Sequence, residues 1–392
     1  MPRFEPFRGI RFAPGRRPED VTSPPYDVLD ADDKAALVAR SAENAVVIDL
    51  PDEADGPGRY EAAADTFERW QRDGVLVTDP EPSFTVHRMS FTDDEGRPAH
   101  TLGVIGALEL EPPGTGILPH EHTTPKAKSD RLDLMRATQA QLSAVWVLSL
   151  TPGLSDLLAP DGEPLADWID ADGVAHTVWR VDDPERIAAI SAAVGATPVV
   201  VADGHHRYET ALTYRAEAGA GGPADTMMTN AVELVDDQLT VRPIHRLLSE
   251  VPDGYDLVGA LASSFEAGEP VEASVDDLRT LGRDRLVLVL PGGRAVPLRP
   301  RAEAFEGVPD LDSARLSAAL ERLPVEVTYQ HGVDRVVKAV EAGEAQAGVL
   351  VRPATVAQIR ANAASGERMP PKTTFFHPKP KTGIVFRSVS GT

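Results

Sequence analysis

The stretch 199–212 constrains the fold of this chain more than any other part of the sequence. Residues 199–202 are an apolar run of valines and alanine, which predicts a buried strand. Asp203-Gly204 predicts a turn, and the following residues predict a helix that ends at the glycines of 219–222. A buried strand that leads at once into a helix is typical of folds that mix strands and helices.

The start of this predicted helix is the best candidate for an anion site. The first turn of a helix has N–H groups without intrahelical acceptors and carries the positive end of the helix dipole. Gly204 lets the backbone approach a phosphate closely, and Arg207 can donate charge-assisted hydrogen bonds to it. His205 and His206 lie between them, and His206 can donate to a phosphoryl group in transfer.

Asp203, just before the turn, can hold Mg²⁺ or orient a histidine. The alternative is that Asp203 only caps the helix and that the two histidines are ordinary surface residues. The stretch is not a P-loop, because the pattern Gly-x-x-x-x-Gly-Lys-[Ser/Thr] is not found in it.

The composition limits which chemistry and which partners we expect. The 392 residues carry a formal net charge of -22 and no cysteine. Thiolate chemistry and Cys-ligated metals are excluded, so a metal would be held by oxygen or histidine ligands, which favours Mg²⁺ or Mn²⁺. The acidic surface disfavours nucleic acid and anionic membranes as partners. No apolar run is long enough to span a membrane, and we expect a cytoplasmic protein.

A second candidate is the motif His120-Glu121-His122. It lacks the His-Glu-x-x-His spacing of a helical zinc site. Two histidines at this spacing could chelate a metal from a strand or a loop, although no third ligand is evident. Alternatively, Glu121 is a general base toward a substrate hydroxyl. A polar loop without chemistry is the third interpretation.

A third candidate lies in residues 369–381. Lysine is scarce in this chain, yet five of the seven lysines lie in the short stretches 126–128 and 372–381. A compact ammonium group is suited to phosphates, so Lys372 and Lys379 are candidates to reach phosphates or a substrate carboxylate. The stretch could equally be structural.

Two weaker candidates complete the set. In residues 23–27, a rigid Pro-Pro pair can direct Tyr26 and Asp27 into a site, or form a structural loop. The pair His245-Arg246 fits a ligand-binding role or a helix cap equally well.

Hydrophobic periodicity predicts an α+β chain with mixed α/β organisation. The predicted helices span about 30–42, 58–73, 128–141, 183–194, 205–218, 255–265, 312–322, 332–342 and 354–364. The predicted strands span 44–50, 83–91, 102–110, 144–150, 175–181, 198–203, 226–235, 239–242, 285–290, 325–329, 346–351 and 383–388, with 226–235 and 239–242 expected to pair. We expect one unit over 1–392, with approximate sub-units 1–111 (α+β), 112–250 and 251–392 (α/β).

Several separated motifs, taken in order, resemble the family called domain of unknown function 1015 (DUF1015). They are Pro24-Pro25-Tyr26-Asp27-Val28, His120-Glu121-x-Thr123, Asp130-Arg131-Leu132, residues 203–211, His245-Arg246-Leu247-Leu248 and the run from Met369 to Lys379. The resemblance covers about residues 4–388. Thr373 stands where the family pattern leads us to expect serine, and the hydroxyl is kept.

A more distant resemblance is to the ParB/sulfiredoxin superfamily. The His120-Glu121 pair, a helix, a strand and then Asp203-Gly204 at a helix start are similar to its layout. In sulfiredoxin a Gly-Cys-His-Arg turn binds the nucleotide phosphates; His205 stands at the position of that cysteine, so sulfinic-acid reduction is excluded. The resemblance implies a ParB/sulfiredoxin-like core with N- and C-terminal α/β additions packed on it.

The free serine kinases of that superfamily carry a His-Glu motif and a similar turn. By resemblance, this chain is a nucleotide-binding kinase of a free, serine-like amino acid or another small hydroxyl compound, with ATP or ADP and Mg²⁺ as cofactors. The implied roles are catalytic for Glu121, His206 and Asp203; nucleotide-binding for Gly204, His205, Arg207, Lys372 and Lys379; substrate-binding for Tyr26, Asp27 and His120; and metal-binding for Asp203.

Two alternatives to a kinase stay open. One is a ParB-like regulatory protein that binds or hydrolyses a nucleotide without transfer to a small molecule, and the other is an inactive scaffold that keeps the fold only. We expect a nucleotide and a small-molecule substrate as partners, with no nucleic acid and no membrane, and homo-oligomerisation is left open.

Overall fold

The computed structural model describes residues 1–52, 56, 58–121, 128–366 and 368–390. Its helices are α1 (Pro18–Val21), α2 (Ala31–Arg40), α3 (Val46–Asp49), α4 (Arg59–Arg72), α5 (Lys128–Thr138), α6 (Leu154–Leu157), α7 (Pro184–Gly195), α8 (His205–Ala218), α9 (Leu257–Leu261), α10 (Val275–Asp284), α11 (Asp312–Leu320), α12 (Val333–Glu341) and α13 (Val356–Ser365). Its strands are β1 (Phe4–Glu5), β2 (Ile10–Phe12), β3 (Leu76–Thr78), β4 (Phe84–Thr92), β5 (Pro98–Glu109), β6 (Ile117–Pro119), β7 (Ala140–Gln141), β8 (Val145–Ser149), β9 (Ala166–Ile169), β10 (Ala175–Val181), β11 (Val199–Asp203), β12 (Thr226–Glu233), β13 (Thr240–Arg242), β14 (Ile244–Ser249), β15 (Phe265–Ala267), β16 (Val271–Glu272), β17 (Leu286–Leu290), β18 (Arg294–Pro300), β19 (Glu326–His331), β20 (Ala347–Leu350), β21 (Phe375–His377) and β22 (Arg387–Ser388). The fold class is α+β, as the sequence predicts.

The chain forms two compact units, neither of which is continuous in sequence. The first unit contains Met1–Pro119, Thr123–Thr240 and Pro378–Thr392, and the second contains His120–His122 and Val241–His377. The assignment of 378–392 to the first unit has no counterpart in the sequence patterns. The approximate sub-unit boundaries given above stay a prediction.

The first unit is built on a mixed sheet. Among its described residues the strand order is β6-β11-β8-β12-β5-β4-β10-β9, with β1 added to β5. The pairs β6–β11 and β8–β12 are parallel, and the other pairs of this sheet are antiparallel. On one face, Ile190 of α7 and Tyr208 of α8 pack into the same apolar cluster as Val104, Val147 and Val201 of the sheet. This packing fixes α8 directly behind the strand that leads into it.

The second unit is an antiparallel sheet with helices on both faces. Among its described residues the strand order is β15-β18-β17-β20-β14-β19, with β16 added to β18. Leu257 of α9 and Leu316 of α11 share one apolar cluster with alternate residues of these strands, such as Leu288. Leu278 of α10 and Val336 of α12 share the other cluster with the intervening strand residues. The strands predicted at 285–290, 325–329 and 346–351 are confirmed as β17, β19 and β20, whereas α10, β14 and β18 were not predicted from the sequence.

Three sequence-based predictions about strands are wrong. Residues 46–49 form helix α3 rather than a strand, because the Asn44 side chain accepts a hydrogen bond from the Val46 N–H at 3.0 Å and so starts a helical turn. Strand β12 pairs with β5 and β8 rather than with 240–242. In the stretch 383–388 only β22 is a strand, paired with β7.

Within the described residues, no helix combines the length and the apolar character that crossing a membrane requires.

Gly106 of β5 offers a test of the first unit's core. A Cβ atom at Gly106 would lie closer than 3.0 Å to the rings of Phe4 and Phe84, which stack at 5.0 Å. We expect Gly106→Ala to lower the free energy of unfolding by about 1–3 kcal/mol through overpacking. At Gly222 a Cβ would meet nothing within 4 Å, so Gly222→Ala is the control. We expect it to change the free energy of unfolding by less than about 0.5 kcal/mol.

The measurement is denaturant unfolding followed by tryptophan fluorescence, because all four tryptophans belong to the first unit. Equal midpoints for Gly106→Ala and the wild type would contradict the described packing of the two rings.

Candidate functional site

The N-terminal end of helix α8, here called the head of α8, begins with a glycine whose backbone lies in the left-handed region. Gly204 has φ +91° and is the residue that precedes the first turn of α8; no side chain caps this turn. The interpretation of Asp203 as the helix cap is therefore wrong, because Asp203 is the last residue of β11. A Cβ atom at Gly204 would lie 3.0 Å from the guanidinium group of Arg207. Glycine is thus required here both by its backbone angle and by the side chain that covers it.

Arg207 is buried and holds two neighbouring strands to the helix start. It donates from Nη2 to Asp203 Oδ2 at 2.7 Å and from Nη1 to the Ala144 carbonyl at 2.5 Å. Asp203 belongs to β11, and Ala144 directly precedes β8. The arginine fork is therefore rigid, with its charge placed at the positive end of α8.

Lys379 joins two acidic residues of the first unit that are far apart in sequence. Its ammonium group lies 2.7 Å from Asp27 Oδ2 and 3.0 Å from Asp203 Oδ1. The Lys379 side chain is only 11% exposed, whereas that of Asp27 is 40% exposed. Asp27 lies in a short 3-10 turn, Tyr26–Val28, directly after the Pro-Pro pair. The structure thus brings Asp27, Asp203, Gly204, Arg207 and Lys379 to one place.

The charged groups of this cluster stabilise one another in their charged forms. Burial alone would raise the pKa of Asp203, but Lys379 and Arg207 outweigh burial and hold it well below its usual range. Burial alone would lower the pKa of Lys379, but Asp203 and Asp27 outweigh it and raise the pKa above its ordinary value. The Asp203 carboxylate and the Lys379 ammonium group are therefore both charged at neutral pH.

A second ion pair lies beside the first. The Arg131 guanidinium group stacks over the Tyr26 ring at 4.0 Å and donates to the backbone and carboxylate oxygens of the buried Asp49. Burial raises the pKa of Asp49, and Arg131 and Arg207 oppose that rise. Burial likewise raises the pKa of Tyr26. Sequence reasoning missed Asp49, which fell inside a stretch predicted as a strand.

His206 also lies at the start of α8. Its Nδ1 atom is buried and has no hydrogen-bond partner among the described residues. His205 is half-buried, and its charge contributes to the low pKa of Asp203. Both histidines thus lie where the sequence predicts them.

His120 and Glu121 belong to the second unit, where they meet the loop after α13. The His120 Nε2 atom lies 2.7 Å from the Thr374 hydroxyl, and Glu121 Oε2 accepts a hydrogen bond from the Thr373 N–H at 3.2 Å. The His120 carbonyl accepts from the Met369 N–H at 2.8 Å. His120 is fully buried, while the Glu121 carboxylate is partly exposed. The Thr373 N–H thus orients the Glu121 carboxylate, which also interacts electrostatically with Arg246.

Three further predicted residues of the second unit, Lys372, Arg246 and His245, differ in their surroundings. Lys372 is exposed and has a left-handed backbone with φ 57°. Arg246 is buried, its guanidinium group lies 4.7 Å from the Tyr329 ring, and burial lowers its pKa to about 10. His245 accepts a hydrogen bond from the Val351 N–H, and burial lowers its pKa to about 4, so it is neutral at pH 7. Residues 122–127, which include His122, lie outside the described residues.

The head of α8 fits a phosphate better than it fits a metal. The helix start, Arg207 and Lys379 supply donors and positive charge, which suit a nucleotide phosphate. Asp203 does not fit Mg²⁺ in this arrangement, since both of its carboxylate oxygens already accept from cationic side chains. Among the described residues, no cluster of three or more His, Asp or Glu side chains is placed to hold a metal ion.

A comparison with protein-family models assigns the chain to a family. The model described as "Protein of unknown function (DUF1015)" matches residues 4–325. The chain belongs to this family. The motif from Met369 to Lys379, which the resemblance included, lies beyond the matched residues. No curated protein matches the sequence.

Solved structures similar to this DUF1015 member share little sequence with it. One is a mutant of a free serine kinase in complex with AMP, with 12% identity, TM-score 0.40, and coverage of 72% of this chain and 92% of that one. Another is a conserved hypothetical protein from Pyrococcus furiosus, with 13% identity, TM-score 0.38, and coverage of 73% and 95%. A third is SbnI with a C-terminal truncation from Staphylococcus aureus, with 11% identity, TM-score 0.40, and coverage of 71% and 85%. Scores this low carry no argument about function.

The two glycines at the ends of α8 test the anion site of this DUF1015 member. Gly204 and Gly219 both have positive φ, but a Cβ meets Arg207 only at Gly204 and meets nothing within 4 Å at Gly219. Both alanine variants should lose about 1–2 kcal/mol of stability from backbone strain. Only Gly204→Ala should also weaken binding of inorganic pyrophosphate, by about ten-fold, because it displaces Arg207.

Calorimetric titration of the two folded variants with pyrophosphate makes the comparison. If Gly219→Ala weakens binding as much as Gly204→Ala does, the head of α8 is not the anion site.

Proposed function

We propose that this protein binds ATP or ADP through its phosphates at the head of α8 and transfers the terminal phosphoryl group to the hydroxyl of a small acceptor. The acceptor class is a free, serine-like amino acid or a similar hydroxyl compound. The observation that carries the proposal is the convergence on Lys379 of three motifs that the sequence singled out separately. These are the Pro-Pro-Tyr-Asp stretch, the Asp-Gly-His-His-Arg turn and the C-terminal lysine motif.

The cluster is suited to phosphate because its cations are already held in place. Lys379 and Arg207 lose little further side-chain freedom when an anion arrives, since Asp27 and Asp203 fix them beforehand. The backbone N–H groups of the first turn of α8 add donors that point out of the helix start. Lysine and arginine side chains that merely lie on the surface would not share one network of ion pairs, as Lys379 and Arg207 do through Asp203.

Phosphoryl transfer requires a base for the acceptor hydroxyl, and Glu121 is the proposed base. The acceptor oxygen would form the new bond to phosphorus, the bond from phosphorus to the bridging oxygen would break, and the hydroxyl proton would pass to Glu121. ATP would leave as ADP, or ADP as AMP. The Thr373 N–H orients the Glu121 carboxylate. Glu121 belongs to the second unit, and its joint action with the first unit rests on the sequence resemblance alone.

A ParB-like regulatory role is the second candidate. The pairing of Lys379 with both Asp27 and Asp203 favours it, because a phosphate that takes the ammonium group would release those carboxylates, and such an exchange of partners lets nucleotide binding alone shift the conformation around the site. Phosphate recovered on a small hydroxyl compound supports the kinase. Nucleotide turnover that is indifferent to every acceptor supports the regulatory role.

Glu121→Gln tests the base. We expect it to lower the rate of phosphate transfer by about 10²–10⁴-fold, because the amide cannot take the proton, and to leave nucleotide affinity nearly unchanged. Glu344→Gln, at an exposed position of the same unit, is the matched control and should change neither quantity. Radiolabel transfer from ATP and ADP to a panel of hydroxy amino acids measures the rate; transfer at the wild-type rate in Glu121→Gln rules Glu121 out.

Lys379→Met tests the phosphate site. Loss of a charge-assisted contact should weaken binding of ADP by about ten- to one-hundred-fold. The control is Lys338→Met at an exposed position of α12. Calorimetric titration measures the ADP affinity of both variants and of the wild type. If Lys379→Met binds ADP as tightly as Lys338→Met does, Lys379 does not contact the phosphates.

A further inference from the structure

The five residues Pro378-Lys379-Pro380-Lys381-Thr382, here called the lysine strap, carry Lys379 to its partners. Two prolines fix their own φ angles and bias the residues before them toward an extended backbone. The backbone of the strap therefore has little conformational freedom, and its position depends on its contacts with the rest of the first unit. Lys379 is one attachment, and the strap has two others within the first unit.

The second attachment is a buried ion pair between Lys381 and Asp170. Their ammonium and carboxylate groups lie 2.5 Å apart, and the side chains are 9% and 8% exposed. The other carboxylate oxygen of Asp170 accepts from the N–H groups of Asp172 and Val174 at 2.9 and 3.0 Å. Asp170 therefore forms the turn of the β9–β10 hairpin and holds the strap with the same side chain.

Two histidines extend this pair into the sheet. His176 Nε2 lies 3.1 Å from Asp170 Oδ2, and His87 Nε2 lies 3.0 Å from His176 Nδ1. Burial lowers the pKa of both histidines, so both are neutral at pH 7. Since a carboxylate only accepts, His176 carries its proton on Nε2 and accepts from His87 on Nδ1. The Trp168 ring stacks on His176 at 4.8 Å and fixes its plane.

The third attachment is at the end of the strap. Thr382 exchanges two backbone hydrogen bonds with Ser23, at 2.9 and 3.1 Å, and its hydroxyl donates to Asp49 at 3.3 Å. Ser23 precedes the Pro-Pro pair that leads to Asp27. The second and third attachments both lie on the C-terminal side of Lys379, and the Lys381–Asp170 pair is the nearer of the two to Lys379.

We infer that Asp170, oriented by His176, is a positioning residue of the phosphate site: by holding Lys381 it sets the lysine strap and thereby places the Lys379 ammonium group. The inference rests on the proposed function for its consequence in binding, but the placement of Lys379 stands on geometry alone. An ammonium group must lie within about 3 Å of its partners to keep a charge-assisted bond. Small movements of the strap are therefore sufficient to release it.

The variant Asp170→Asn tests whether Asp170 positions Lys379 or only stabilises the fold. An asparagine presents its N–H₂ group either to Lys381 and His176 or to the two backbone N–H groups, so donors face donors in both orientations. Lys381 is left buried without its counter-charge, which favours displacement of the strap. The matched control is Asp225→Asn, which breaks the Arg215–Asp225 pair near the other end of α8, at 2.8 Å.

The first readout needs no nucleotide. The protein is treated with an acetylating reagent, and mass spectrometry follows each lysine, with the exposed Lys338 as internal reference. We expect Asp170→Asn to raise the acetylation rate of Lys379 by about ten-fold, and Asp225→Asn to leave it unchanged. An unchanged Lys379 rate in Asp170→Asn overturns the inference. Lys381→Met, which removes the other end of the pair, should release Lys379 equally and replaces Asp170→Asn if that variant does not fold.

The second readout is a double-mutant cycle on ADP affinity. Asp170→Asn should weaken ADP binding by about ten-fold in the wild-type background and not at all in the Lys379→Met background, because it acts only through Lys379. Equal weakening in both backgrounds overturns the inference. If the wild-type protein binds no ADP, the proposed function fails, whereas the acetylation rates still decide whether Asp170 positions Lys379.

Discussion

The ammonium group of Lys379, held between Asp27 and Asp203, is the interaction on which the rest of the candidate site depends. This ammonium group is nearly buried, so its charge has to be balanced locally. Because Arg207 adds a second positive charge, both carboxylates are needed, and one alone would leave the site positive. Arg207 balances Asp203 from the other side. The result is a neutral group of four charges at the positive end of a fourteen-residue helix. An arriving phosphate would meet fixed cations rather than flexible side chains, which is the arrangement that electrostatic preorganisation requires.

The backbone around this cluster is adapted to it. Gly204 leaves room for the Arg207 guanidinium group, and the prolines of the lysine strap limit the freedom of Lys379. Because the β11–α8 connection needs both a positive φ and a close approach, glycine has no substitute there. The charged groups and the backbone that carries them are thus specified together by a few short stretches of sequence.

Local patterns predicted most of the elements and the identity of several clustered residues. The strand–turn–helix at 199–218 is confirmed, because apolar runs, glycine and helix-forming residues act over a few positions. The assembly of Asp27 with Lys379 could not be predicted from any local pattern, since the two residues are 352 positions apart. The pairing of Lys381 with Asp170 was missed for the same reason. The alternation of proline and lysine in the strap was the one local sign that these lysines have fixed positions. The strand predicted at 44–50 was wrong because the hydrogen bond that the Asn44 side chain accepts from the Val46 N–H outweighed the β-branched residues after it.

The discontinuity of the first unit has a consequence for folding. Residues 241–377 belong to the second unit and separate two parts of the first, so the contact of Asp27 with Lys379 closes a very long loop. The entropic cost of closing a loop grows only with the logarithm of its length, and it is reduced when the intervening residues fold by themselves. Contacts of such long range form late in folding. The strand pairs in the sheet of the second unit all join residues within the single stretch 244–350, which is much shorter than the separation of Asp27 and Lys379. This unit is therefore expected to acquire structure before the phosphate site, whose completion would be among the last events on the pathway.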